Sequence, residues 1–267
     1  MMFGVASVFQ IPIILVARIK RAKVLLFYGG ATLSIRSHIL LSLVNKIIVE
    51  SPNVSQFFGI HTRHEKKVVD NGHLFFDAPL FKPLKCYSER EKLVGYVGVL
   101  MHVKGVMNLI RAIPIVLQHI HDINFIVIGE GDLKGRVEGL VKDTDLYKYV
   151  TLTGWISYSK LPPFLNEIKL LVLPSYKEGL PSIIIEAMAC GTPVLATPVG
   201  GIPDIIKDGE TGFILENNSP ECIAENIIRV LEHPNLEKIV KNARELVEKE
   251  FTYEATVGIY RKIVEKI

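Results

Sequence analysis

Residues 174–212, PSYKEGLPSIIIEAMACGTPVLATPVGGIPDIIKDGETG, follow one short apolar run, Leu170 to Leu173, and contain a second, Pro193 to Ala196. Between the runs lies a segment of helical length, Pro181 to Cys190, which ends at Gly191, the residue type that most often stops a helix. An apolar run, a turn, a helix and another apolar run form the signature of a βαβ unit, and such units build parallel sheets. Ligands of these folds bind outside the carboxyl ends of the strands, at the turns into the helices. Glu178 falls on such a turn and Glu186 on the helix behind it.

The same alternation extends outward. Upstream runs at Leu93 to Leu100, Asn124 to Ile128 and Val150 to Thr153 alternate with helical segments at Lys104 to His119, Leu133 to Leu146 and Ser157 to Asn166. The five strands predict a parallel sheet covered on both faces, a Rossmann-like α/β domain. After Gly212 come Phe213 to Leu215 and three amphipathic helices, Pro220 to Glu232, Leu236 to Glu250 and Tyr253 to Lys266. Before Leu93, the charged, proline-bearing segment Asp77 to Lys92 reads as an interdomain linker. Ahead of it lie strand candidates at Pro12 to Val16 and Lys46 to Glu50, a weaker one at Lys23 to Tyr28, and a helix candidate at Ser34 to Leu43. These leading residues, roughly 80 of them, hold few strands for a doubly wound domain and read as the tail of a larger one.

Composition narrows the class. The chain has 267 residues, is 49% hydrophobic and carries a net charge of +3, which sets disorder aside. No basic stripe interleaved with aromatics tracks a nucleic-acid backbone. A phosphorylated small molecule or an anionic membrane surface fits the mild basic excess better. Cys86, Cys190 and Cys222 are far apart and suggest a reduced, cytoplasmic setting rather than a disulfide framework. The uncharged stretch Met1 to Val16 is shorter than the ~20 residues of a membrane span. It is also interrupted by Gln10 and Pro12 and lacks a basic leader region. Membrane association is kept as the alternative to a purely cytoplasmic location.

Two glutamates on a rim are weak evidence alone, since Glu178 could be a solvated loop acid and Glu186 a helix residue that merely favours the dipole. Their surroundings argue for a site. Gly179 permits an unusual turn, Pro181 suits a first helical turn, and the helix start offers free N–H groups to an anion or hydroxyl. Gly200-Gly201 and Gly209 to Gly212 add glycine turns after the next strand, on the same side of the sheet. A rim so built suits a large polar ligand. Asp143-Thr-Asp145 ends a helix and reads as solvated, and His61-x-x-His64-Glu65 lacks the order that places two imidazoles and a base on one zinc. No metal site is predicted.

The stretch EGLPSIIIEAMACGTPVLATPVGGIPDII with DGETGFIL resembles the donor-binding region of the retaining, GT-B-fold glycosyltransferases of family 4, also called glycosyl transferases group 1. The resemblance extends through Val94-Gly-Tyr-Val-Gly98, Lys104-Gly105, Gly129-Glu-Gly-Asp132, Gly154-Trp155 and Leu173-Pro-Ser175. More loosely, it includes Asn45 to Ser51, Asn71-Gly72 and Phe76-Asp77. It implies an α/β, GT-B-like chain: a partial N-terminal, acceptor-side domain over residues 1–85, a complete Rossmann-like donor domain over 86–250, and a helix over 251–267 crossing back. It implies transfer of a sugar from a UDP- or GDP-sugar to a glycan, lipid or small-molecule acceptor, with retention of configuration and with neither metal nor cofactor. Glu178 would contact the donor sugar, Glu186 the ribose, and Lys104 the diphosphate. Gly98, Gly129, Gly154, Trp155, Ser175 and the backbone around Gly179, Leu180 and Pro181 would line the donor pocket.

Two departures from the family pattern stand out. Val99 occupies the place of a usual arginine, the second diphosphate cation. The family's N-terminal glycine-rich loop and acceptor-side histidine have no match here. These departures motivate an alternative, a non-catalytic nucleotide-sugar-binding module or a subunit that needs a separate N-terminal partner. Epimerisation on the same fold is weaker, because its acid/base set is not found.

Overall fold

The computed structural model describes residues 23–28, 41–57, 59–60, 64–70 and 74–265. The strand expected at Pro12 to Val16 lies outside these residues, as does most of the helix expected at Ser34 to Leu43, of which residues 41–43 are described and helical. The leading part contains a three-stranded sheet in the order β1 (Leu25–Tyr28), β2 (Lys46–Val49), β3 (Val68–Val69), all parallel. A short helix, α1 (Pro52–Phe57), follows β2. Leu41, Val44, Ile47, Val49, Val54 and Ile60 form the small core of this part.

The main sheet is six-stranded and parallel throughout. Its strands in chain order are β4 (Leu93–Val97), β5 (Asn124–Ile128), β6 (Val150–Gly154), β7 (Leu170–Leu173), β8 (Val194–Ala196) and β9 (Phe213–Ile214). In space the order is β6-β5-β4-β7-β8-β9. The chain therefore moves outward from β4 in one direction, returns to β4 and continues in the other, which opens a crevice between the carboxyl ends of β4 and β7. The five predicted strands are present, and a sixth, β9, pairs with β8 from the Phe213 to Leu215 run. Every residue of Leu170–Leu173 is buried, as a strand covered on both faces requires.

Helices α2 (Val106–Leu117), α3 (Lys134–Asp143), α4 (Leu161–Glu167), α5 (Ser182–Ala189), α6 (Ile202–Ile205), α7 (Pro220–Leu231), α8 (Leu236–Glu250) and α9 (Tyr253–Glu265) complete the chain. Helix α7 begins by the expected chemistry, with the Ser219 hydroxyl accepting from the Cys222 amide at 3.2 Å and Pro220 in the first turn. The segment before β4 is not a loose tether. Phe76 and Phe81 are buried in the main core. The Arg90 guanidinium donates to the carbonyls of Leu165, Ile168 and Cys190 and to the Thr192 hydroxyl.

Two helix starts differ from expectation, the first for a steric reason. Lys104 lies on a 3-10 turn, His102–Lys104, rather than on the helix, because Gly105 adopts φ +69° and redirects the chain before Val106. That conformation lets the backbone meet the Pro174 carbonyl so closely that a Cβ at position 105 would collide with it. Helix α5 likewise begins at Ser182, with Pro181 as its extended N-cap rather than in its first turn. Among the described residues, no helix is long and apolar enough to cross a membrane.

Gly105→Ala is expected to destabilise the chain by about 2 kcal/mol or more, since it adds both a left-handed strain and a backbone clash. Equilibrium urea unfolding measures it, and a change within about 0.5 kcal/mol, the range of an indifferent surface substitution, would contradict the close approach.

Candidate functional site

Three backbone features shape the β4 side of the crevice. Gly98, at the end of β4, donates to the Ile128 carbonyl at 3.0 Å, and Gly129 donates to the Gly154 carbonyl at 2.9 Å. The ends of β4, β5 and β6 are thereby tied into one rim. The β5–β6 register shifts between Val127 and Ile128, so that Ile128 faces Gly154, and such a bulge bends a strand and re-aims the residues beyond it. Trp155, directly after Gly154, is 73% exposed over the rim. Gly98, Gly129, Trp155 and Tyr158 line a cleft of about 330 Å³ together with Val97, Val99 and Glu130.

On the other side of the crevice, the loop after β7 carries Ser175 and Glu178. The Glu178 carboxylate accepts from Lys104 Nζ at 2.8 and 2.6 Å and from the Ser175 hydroxyl at 2.7 Å. Ser175 is fully buried, and Glu178 retains 7% exposure against 27% for Lys104. The lysine is delivered by its turn: the Tyr176 amide donates to the Val103 carbonyl at 2.8 Å, and His102 stacks on Tyr176 with ring centroids 5.3 Å apart. The family resemblance implied different parts of a ligand for Lys104 and Glu178, and the fold joins them as an ion pair.

Gly179, Leu180 and Pro181 continue that loop. The Gly179 carbonyl accepts from the Gly201 amide at 2.7 Å. The Leu180 amide, expected to face a donor, donates to the Glu50 carboxylate at 2.7 Å, and the Leu180 side chain is buried. Gly200, at φ +59°, lies so close to the Glu178 carbonyl that a Cβ there would collide with it. The second glycine cluster thus buttresses the Glu178 loop from behind.

Glu186 lies on α5 and is buried. Burial pushes its carboxyl up to about 7, partly offset by a hydrogen bond from the Tyr158 hydroxyl. Tyr158 also lines the 330 Å³ cleft, and so links Glu186 to the rim that carries Gly98 and Trp155. Val99 is 49% exposed at that rim and presents no charge. Three participants escaped the sequence reading: Tyr158, Glu50 and the Asn53–Asp204 contact, in which Asn53 Nδ2 donates to Asp204 Oδ1 at 2.6 Å. Only Glu50 carried a signal, as an acid at the end of an apolar strand. Among the described residues, no group of three or more His, Cys, Asp or Glu could hold a metal ion.

Comparison with known proteins agrees with this architecture. The glycosyl transferases group 1 family matches residues 85–246. A glycosyltransferase of Methanocaldococcus jannaschii is 34% identical over 182 residues, covering 68% of this chain and 50% of that protein. The N-acetyl-alpha-D-glucosaminyl L-malate synthase of Bacillus anthracis is 30% identical over 177 residues, covering 66% of this chain and 46% of its own length. The chain spans about half the length of these curated relatives. Among solved structures, Anabaena HepE in complex with UDP and glucose superposes with a TM-score of 0.79 at 21% identity, over 96% of this chain and 74% of that one. The C-terminal domain of a glycosyl transferase group 1 family protein from Francisella tularensis gives 0.60 at 27% identity, over 67% of this chain and 99% of that one. The fold is GT-B-like, and the chain belongs to the glycosyl transferases group 1 family.

Proposed function

We propose that the crevice binds a nucleoside-diphosphate sugar, UDP- or GDP-linked, and that the chain takes part in transferring that sugar to an acceptor hydroxyl with retention of configuration. The observation that carries the reading is the Lys104–Glu178–Ser175 cluster, its carboxylate buried, at the point where the strand order reverses. The glycine rim and Trp155 offer a surface for the nucleotide base, and Glu186 offers an acceptor for ribose hydroxyls. The UDP held by the HepE structure supports a uridine donor. Residues 86–250 act as the donor domain in this reading, and the free cysteines suit a reducing, cytoplasmic compartment.

In the reaction the bond between the anomeric carbon and the diphosphate oxygen breaks, and its electron pair leaves with the diphosphate. The acceptor oxygen bonds to the anomeric carbon from the same face, and its proton passes to the departing diphosphate. Lys104 stabilises the charge that grows on the leaving group, in place of a metal, an electrostatic contribution of several kcal/mol in a water-poor cleft. Glu178 holds that ammonium and turns a carboxylate toward the sugar. Val99 leaves the leaving group one cation short of the family pattern. This favours as a second reading a donor-binding subunit completed by another chain.

Calorimetric titration with UDP and GDP is expected to show binding of one of them, with Glu186→Ala weakening it. Lys104→Ala is expected to lower turnover, or donor hydrolysis without acceptor, about 10²–10³-fold. Binding with no turnover under any acceptor would favour the subunit reading. Failure of both nucleotides to bind, with Glu186→Ala indistinguishable from wild type, would remove the donor site itself.

Glu186 adds a pH signature. Its carboxyl is protonated in the free protein up to about pH 7, and ribose hydroxyls donating to it favour the ionised form. Donor binding should therefore release a proton between the ordinary carboxylate range and pH 7, and affinity should rise with pH across that window, then level off. Titration at pH 6 in two buffers of different ionisation enthalpy reads the released proton. Glu186→Gln should abolish it, and an unchanged proton count in that variant would refute the assignment.

A further inference from the structure

The loop that carries Glu178 is fixed from an unexpected direction. Glu50 belongs to the small sheet, one residue past the end of β2, yet its carboxylate crosses to the main domain and accepts from the Leu180 amide at 2.7 Å. The neighbouring ties run the same way. Asn53 at the start of α1 donates its amide and its side chain to Asp204 of α6 at 3.1 and 2.6 Å. Ser51 packs so tightly on Gly201 that a Cβ there would approach its hydroxyl within 2.5 Å. Gly201 in turn donates to the Gly179 carbonyl at 2.7 Å.

The backbone next to Glu178 is therefore held on two sides, at Gly179 by its own domain and at Leu180 by the small sheet. Burial raises the Glu50 carboxyl above its usual range, and so does the negative charge of Glu178. Ile259 and Ile263 of α9 line a cavity together with Ser51, Leu180 and Asp204, so the C-terminal helix meets the same junction. An acid that is half-buried close to another acid is unfavourable unless its hydrogen bond offsets the cost. The contact it makes is with the one loop that presents Glu178.

We propose that Glu50 is a positioning residue: through the Leu180 amide it sets the conformation of the Glu178 loop, and so couples docking of the small sheet to affinity for the donor. The proposal rests on the donor-site reading for its functional half. Its structural half stands on the contact alone.

Glu50→Leu removes the acceptor at similar size, and Glu50→Gln keeps an acceptor oxygen without the charge. Glu50→Leu is expected to accelerate amide hydrogen exchange at 178–180 and to raise the Kd for whichever of UDP and GDP the wild type binds by about 10-fold, the scale of one loop-fixing hydrogen bond. Glu50→Gln is expected to restore both toward wild type. Asp204→Ala cuts the adjacent tie without touching Leu180 and should leave exchange at 178–180 unchanged. The proposal is overturned if Glu50→Leu exchanges and binds like wild type, if Glu50→Gln is as impaired as Glu50→Leu, or if Asp204→Ala loosens the loop equally. Should neither nucleotide bind the wild type, the donor reading fails, and the exchange data still decide whether Glu50 orders the loop.

Discussion

The ion pair between Lys104 and Glu178 organises the rest of the molecule, because a buried carboxylate is stable only where cation and hydrogen-bond donor converge on it. Lys104 and Ser175 both donate to Glu178, and they come from turns following different strands, β4 and β7. Those turns are neighbours because the strand order reverses between β4 and β7. In fully buried pairs, removing one partner costs about 3–5 kcal/mol, and the cost is lower here because the Lys104 side chain keeps 27% exposure. Under the proposed donor reading, the same pairing places the cation where charge on a leaving group would develop.

The glycines are best understood as the means of bringing those turns together. Gly105 admits the Pro174 carbonyl and Gly200 admits the Glu178 carbonyl, each in a left-handed conformation and each too close for any side chain. One brings the lysine turn against the glutamate loop, and the other supports that loop from behind. Their role is geometric: the charged groups meet because the backbones are allowed to. The small sheet adds an outer constraint through Glu50 and Asn53, so the Glu178 loop is shaped by both parts of the chain.

Much of this was legible in the sequence, for reasons of period and punctuation. Fully apolar runs such as Leu170–Leu173, separated by helical segments, announce a buried parallel sheet, and Gly191 marks where a helix stops. The paired glutamates were legible as a candidate site because glycine turns crowd around them. Less visible were Phe213–Ile214, two residues too short for a periodic signal, and the start of α2, where left-handed Gly105 interrupts an otherwise helical pattern. The aromatic partner of Glu186 was invisible for another reason. Tyr158 lies 28 positions away from it in the chain, and only the folding of β6 and α4 brings its hydroxyl to the carboxylate.

The sequence by itself determined the strands of the main sheet and the longer helices between and after them, that those strands run parallel, and which turns carry the paired glutamates. Each of these comes from local spacing and from residue types with strong backbone preferences. Only the tertiary structure decided that Lys104 and Glu178 form a pair, that Glu186 is neutral up to about pH 7, and that Glu50 reaches the Leu180 amide. Those outcomes depend on distances between residues far apart in the chain and on how much water is excluded around them. Neither is encoded in any local pattern, and both appear only once the sheet order is set.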